Sequence, residues 1–360
     1  MKILVINTVS FGTNGITSVI MNYYRAMNKN DIQMDFLAIT KPLDEYINEF
    51  SRNGSHYYIL QRRKNAIKYF LGLIKLMKRE KYDLVHVHGN STNIALELFA
   101  AKIAGVKVRI AHSHNTSSPH LIVHKLLYPV FRRLVTARIA CGVEAGKWLF
   151  KDGDFIVLKN GIDLEKFRYD NAKGELKKQE LGLKDKFVIG HIGTYWEQKN
   201  HAYIVKLFSS IVEQCPESAL ILIGDGPKFD EIENALHERK LGDKVIFVKQ
   251  TLEVEKYMMS MDVFILPSIY EGFPVVSVEA QASALPCVFS DVVTDATNMT
   301  GLIHFVGLDD EEKWISTILG LHNSNRCSEE TIQILTKNGF NIRTNAEFLR
   351  KLYFNEIGNA

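Results

Sequence analysis

The chain has 360 residues, 46% of them hydrophobic, more than a single core takes up, since cores stop growing at about 250 to 300 residues; two domains are expected. Charge is uneven: residues 1–170 hold 25 Lys and Arg against 14 Asp and Glu, and residues 171–360 hold 19 against 27. Four scattered cysteines exclude a disulfide framework and a zinc ribbon, and no stretch of about 18 uncharged apolar residues reads as a membrane span. A first strand is expected over residues 3–7. The segment Phe11-Gly12-Thr13-Asn14-Gly15-Ile16 joins it to a helix, and Gly12 and Gly15 let backbone approach a ligand closely. It is not Gly-x-Gly-x-x-Gly, which removes the main support for a dinucleotide oxidoreductase. Further strands are expected over residues 34–39, 84–88, 108–112 and 137–141, with His112, His114 and Asn115 at the end of the fourth.

Asn160-Gly161 leads into residues 168–186, where Asp, Asn, Lys, Gly and Gln replace the apolar periodicity and a boundary is expected. Beyond it, strands are expected over residues 187–192, 220–223, 245–248, 263–266 and 286–289. Gly193 and Thr194 end the first of these, and Gly224-Asp225-Gly226-Pro227 ends the second. The acidic run Asp309-Asp310-Glu311-Glu312 reads as a helix start, not a metal site. After about residue 328 the pattern is helical. Strands alternating with helices imply an α/β protein with a parallel sheet built twice, giving two Rossmann-like domains. The expected division is 1–168, a linker 169–186, a second domain 187–340 and a terminal helix 341–360.

The most informative segment is Pro267-Ser268-Ile269-Tyr270-Glu271-Gly272-Phe273-Pro274-Val275-Val276-Ser277-Val278-Glu279-Ala280. It places two carboxylates eight positions apart around a turn that opens a helix, with Pro274 suited to the first turn. Helix N-termini favour phosphate, and ligands of open α/β sheets bind beyond the carboxyl ends of the strands. A diphosphate would lie between Glu271, facing sugar hydroxyls, and Glu279, facing ribose hydroxyls. That is a nucleotide-sugar site in outline.

The segment resembles the Glu-x7-Glu signature of retaining glycosyltransferases of the GT-B fold, family 4. Met21-Asn22-Tyr23-Tyr24-Arg25, Arg109-Ile110-Ala111-His112-Ser113-His114-Asn115, Asn160-Gly161-Ile162-Asp163 and Gln198-Lys199-Asn200-His201 extend the likeness to bacterial members that build capsular polysaccharide and exopolysaccharide. The resemblance implies two domains facing across a cleft, with the last helix crossing back to the first domain. It also implies retention of configuration; with the acidic run read as a helix start, no metal or other cofactor is expected. Glu271, Lys199 and a histidine, His114 before His112, would serve catalysis. Glu279, Gly272, Phe273, Pro274, Val275, Gly12, Gly15, Gly193, Thr194, Gly224, Asp225 and Asn160 would line the donor site.

One departure stands out, because relatives carry arginine where this chain has Thr194. Half of a cationic diphosphate clamp is missing unless Lys249 or another cation completes it. A catalytically weakened scaffold or binding subunit is therefore an alternative, and a nucleotide-sugar epimerase a further one. The expected partners are a nucleotide sugar, UDP-linked, and a lipid-linked or oligosaccharide acceptor, with no nucleic acid. The basic first half, including the helical stretch 62–81 with Arg62, Arg63 and Lys64, suggests an anionic membrane surface. The expected location is the cytoplasm, peripheral at the inner face of the membrane.

Overall fold

The computed structural model of the chain describes every residue except Thr13, Arg63, Lys64, Pro119, His120, Asp152, Gln250 and Asn323. Thr13 of the first glycine turn, and Arg63 and Lys64 of the basic stretch, therefore lie outside the described residues. Two compact units result, one of Met1–Gly161 with Ile342–Ala360, the other of Ile162–Asn341.

The first unit runs β1 (Lys2–Asn7), α1 (Gly15–Ala26), β2 (Gln33–Ala38), α2 (Asp44–Arg52), β3 (Tyr57–Ile59), α3 (Ala66–Glu80), β4 (Leu84–Gly89), α4 (Ala95–Ala104), β5 (Val108–Ser113), α5 (Leu121–Leu134), β6 (Ala137–Ala140), α6 (Val143–Phe150) and β7 (Ile156–Val157). The strands are parallel in the order β3-β2-β1-β4-β5-β6-β7. All of β1 after Lys2 is buried, as a strand covered on both faces requires. Right-handed crossovers between strands that advance in one direction place α3, α4 and α5 on one face, where Tyr69, Leu73, Leu98, Phe131 and Leu134 share a core.

The second unit runs α7 (Leu164–Phe167), α8 (Asn171–Glu180), β8 (Phe187–Ile192), α9 (His201–Gln214), β9 (Ser218–Ile223), α10 (Phe229–Glu238), β10 (Val245–Val248), α11 (Val254–Ser260), β11 (Val263–Leu266), α12 (Val275–Ala282), β12 (Cys287–Ser290), β13 (Ile303–Val306), α13 (Glu311–Gly320) and α14 (Ser328–Lys337). Its parallel order is β10-β9-β8-β11-β12-β13. The strand order reverses between β8 and β11, and in the first unit between β1 and β4. The last helix, α15 (Ile342–Gly358), belongs to the first unit. There it packs on α1, and Arg350 donates to the carbonyls of Asn28 and Asn30 at 3.2 Å.

Three differences from the sequence expectation have physical causes. The units change at Gly161–Ile162, and the expected linker contains α8, a polar helix that buries only Gly174. A Cβ on Gly174 would stand 2.5 Å from the Met259 carbonyl oxygen, so α8 is pressed against α11 by backbone contact and not by an apolar stripe. Strands β3, β7 and β13 were not expected, being short edge-side segments with few buried residues. No helix among the described residues is long and apolar enough to cross a membrane.

Candidate functional site

In the second unit, the residues expected to bind ligand gather at the carboxyl ends of β8, β9 and β11, around the point where strand order reverses. Such a point is where open α/β sheets leave a crevice. Lys199, which follows β8, forms an ion pair with Glu271, which follows β11. The same Glu271 oxygen accepts the Ser268 hydroxyl at 3.0 Å. Backbone holds the two loops in place: Ile269 N–H donates to the Gln198 carbonyl at 2.8 Å and the Gln198 amide to the Tyr270 carbonyl at 3.0 Å. The cation and the carboxylate are thus fixed side by side by the residues just before each.

Gly193 is required by this closeness, because a Cβ there would lie 2.9 Å from His191 Nε2 and 3.1 Å from the Lys199 side chain. Gly224 is more constrained still. Its Cβ would stand 1.9 Å from the Gly193 carbonyl oxygen, and its φ is +150°. Gly224→Ala is accordingly expected to lower stability by about 1–3 kcal/mol through forced overpacking, measured by urea unfolding. Asp225 spends one carboxylate oxygen on Gly226 N–H at 2.8 Å, which shapes the turn. Thr194 is followed by Tyr195, a buried ring stacked on His201 at 4.0 Å, so the loop is anchored and Thr194 itself stays partly exposed. Lys249, considered as a replacement cation, lies over the Phe229 ring at 4.4 Å, after the edge strand β10.

Pro274 stands one residue before α12 with no side-chain cap, and Phe273 stacks on Phe340 at 5.5 Å, which fixes the entry of the chain. Gly272 is exposed and Val275 opens the helix. The first N–H groups of a helix have no intrahelical partner and can meet an anion. Gln281, which sequence reasoning missed, pins α12: its oxygen accepts from Met299 and Thr300 N–H, and its amide donates to the Ser277 and Thr297 carbonyls. Glu279, one helical turn in, has its pKa raised to about 7 by burial; nearby Lys166 lowers it and Glu255 raises it. Asp310 caps α13 by accepting Lys313 N–H at 3.0 Å, and Glu311 pairs with Lys206, so this acidic run is a helix start as expected.

In the first unit, Gly12 and Gly15 have open space where a Cβ would point, and Asn14 between them caps α1 by accepting Thr17 N–H at 3.1 Å. His112 and His114 belong to a set of four. His86 and His88 on β4 face them from the neighbouring strand, a pattern visible in sequence as His-x-His at two strand ends but not singled out there. Tyr353 on α15 bonds His86 Nδ1 at 2.6 Å, and His86 Nε2 meets His112 Nδ1 at 3.2 Å. His88 Nδ1 meets His114 Nε2 at 2.8 Å. Burial lowers the pKa of all four, that of His114 to about 3, so they are neutral imidazoles near pH 7. His114 is partly exposed while His112 is not, and its Nδ1 has no partner among the described residues. It can exchange one neutral hydrogen bond and supplies no positive charge. His86, His88 and His112 bring ligating nitrogens within 4.8 Å of one another, the set of described residues that could hold a metal ion. Asn160 is buried with its side-chain oxygen unpartnered among the described residues, next to Gly161, whose Cβ would lie 3.0 Å from Ile342 Cα.

Comparison with known proteins adds independent information. The family described as glycosyltransferase family 4 matches residues 13–166, and that described as glycosyl transferases group 1 matches residues 173–298. EpsF of Bacillus subtilis is 34% identical over 94% of this chain and 93% of its own length. The UDP-Gal:alpha-D-GlcNAc-diphosphoundecaprenol alpha-1,3-galactosyltransferase of Escherichia coli is 30% identical over 91% of this chain and 90% of its own length. A crystal structure of Anabaena HepE in complex with UDP and glucose superposes with a TM-score of 0.78, at 16% identity, over 98% of this chain and 99% of its own; that likeness concerns the fold.

Proposed function

Since this chain belongs to the group 1 and family 4 glycosyltransferases, we propose that it moves a hexose or N-acetylhexosamine from a UDP-linked donor, with retention, to a lipid-linked or growing glycan acceptor in bacterial surface polysaccharide synthesis. The observation that carries this reading is the Lys199–Glu271 pair, held with Ser268 where the strand order reverses. In the reaction, the bond between the anomeric carbon and the diphosphate oxygen breaks while the acceptor oxygen bonds to the same face of that carbon. The acceptor proton passes to the departing phosphate oxygen, so no protein base is needed. Lys199 and the start of α12 offset the charge developing on the diphosphate, and Glu271 holds the sugar hydroxyls that orient the anomeric carbon. Glu279 accepts the ribose hydroxyls.

Two features support a weaker second reading, a catalytically reduced scaffold: Thr194 in place of the family arginine, and Lys249 committed to the Phe229 ring. Incubation with a panel of nucleotide sugars, with the released nucleotide detected by mass, separates them; no release from any donor would leave the scaffold. A further expectation concerns the clamp. Thr194→Arg should tighten donor binding by about 1 kcal/mol or more, because arginine can hold phosphate oxygens bidentately, and turnover should survive excess EDTA. A strict requirement for added magnesium or manganese would refute the metal-free reading.

A further inference from the structure

The helix α5 reads Leu-Ile-Val-His-Lys-Leu-Leu-Tyr-Pro-Val-Phe-Arg-Arg-Leu, and its orientation is fixed from beneath. His124, Phe131 and Leu134 face inward. The His124 ring stacks on Trp148 at 4.5 Å and accepts Thr92 N–H at 3.3 Å, and its carbonyl accepts the Thr92 hydroxyl at 2.7 Å. Outward, where a surface helix ordinarily shows polar residues, stand Ile122 at 76% exposure, Leu126 at 72%, Leu121 at 51%, Val130 at 49% and Val123 at 43%. An apolar stripe of that length facing water marks a surface that is covered in use.

Charge decides what covers it. Lys125, Arg132 and Arg133 are exposed on the same helix without an ion pair among the described residues, and α5 contains no acidic residue. The adjoining helices α3 and α4 continue the pattern, exposing Ile67, Leu71, Phe99 and Ile103 together with Lys68, Lys75, Lys78 and Lys102. Their two acids are already engaged: Glu80 with Lys2 and Arg79, Glu97 with Arg62. A second copy of the chain packed about a two-fold axis would set these cations against their equals. A bilayer containing anionic phospholipid offers acyl chains to the stripe and phosphates to the cations that border it.

We propose that the outward face of α5 is the element by which the first unit docks on an anionic membrane. This extends to α5 the contact expected from the basic stretch 62–81, of which Arg62 is committed inward to Glu97 at 3.1 Å and to the Asn93 carbonyl at 3.0 Å. The N-terminal half of α5 lies beside Thr92, just past the carboxyl end of β4. The docked face therefore adjoins the strand ends that carry His88 and His114, where an acceptor held in lipid has a short path. That last point rests on the transferase reading; the docking does not.

The test is flotation of the full chain with vesicles of phosphatidylglycerol and phosphatidylcholine, and with phosphatidylcholine alone, at low and at molar salt. The wild type is expected to float with the anionic vesicles at least about tenfold better than with the neutral ones, the excess falling in molar salt as the Debye length shrinks to about 3 Å. Ile122→Gln with Leu126→Gln should reduce binding about tenfold or more at either salt, and Lys125→Glu with Arg132→Glu and Arg133→Glu should abolish the anionic preference. Lys337→Glu, in the second unit, should float as wild type. No flotation of the wild type, or α5 variants that float unchanged, would overturn the proposal. So would a dimer in sedimentation velocity that the α5 variants dissolve in the absence of vesicle binding, which would assign the face to a second copy. Circular dichroism and thermal unfolding of the same preparations show that the variants are folded, and calorimetry with UDP tests the donor residues of the second unit separately. Failure of the wild type to bind UDP would count against the transferase reading and leave the flotation result standing.

Discussion

Turnover of Glu271→Ala is expected to fall by about 10²- to 10³-fold while UDP affinity stays nearly unchanged, the signature of an interaction that acts in the transition state and not on the nucleotide. The carboxylate sits between Lys199 and the Ser268 hydroxyl, so its removal leaves Lys199 free of its counter-charge. The freed cation can meet the diphosphate more fully, and UDP should bind as well as before or better. Lys199→Ala should do the opposite, weakening UDP by about 1.5–3 kcal/mol, the range for a hydrogen bond to a charged group. Because the two side chains touch, the double variant should cost less than the sum of the singles. Steady-state kinetics with calorimetry on the three proteins separates these outcomes. A loss of UDP affinity in Glu271→Ala equal to that in Glu279→Ala would remove the assignment of Glu271 to the sugar.

Glu279→Ala should weaken UDP binding by about 1.5–3 kcal/mol. Its raised pKa adds a pH dependence whose sign can be worked out. Burial favours the protonated carboxyl, moving it from 4.5 to about 7, so the stability this group contributes is present at low pH and is lost as pH rises through that interval. Ribose hydroxyls donate to the ionised form, so UDP selects the carboxylate. Affinity should therefore climb about tenfold between pH 6 and pH 8. The terminal phosphate of UDP also titrates, but equally for wild type and for Glu279→Gln, so the difference between their profiles isolates Glu279. Parallel profiles would mean that Glu279 does not face the ribose.

Much of this architecture is legible in the chain because buried parallel strands are continuous apolar runs. Residues 187–192, 245–248 and 263–266 coincide with β8, β10 and β11. What escapes is structure held by something other than apolar pattern. The helix α8 is capped by Asp170 and laced by Lys173–Asp170 and Lys177–Glu180 pairs, so its composition resembles a linker. Strand β7 has two residues and exists because β6 offers an edge. At the site, Glu271, Lys199 and the glycines are recognisable from the order of their motifs. The contact between Lys199 and Glu271, across 72 positions, is a property of strand order that no local pattern contains. The histidine ladder needs the register of β4 against β5, which sets His88 beside His112. The exposure of α5 is likewise hidden, since an apolar helix reads the same whether it faces a core or water.

The return of α15 to the first unit has a consequence for how the molecule is made. The second unit is one uninterrupted stretch and can close as soon as Asn341 has emerged from the ribosome, whereas the first must wait through all of it for Ile342–Ala360. Until then the face of α1 that α15 covers is open, and His86 lacks the Tyr353 hydroxyl. The half that is synthesised first is thus completed last, and a released chain truncated before Ile342 would carry a finished second unit behind an unsealed first one.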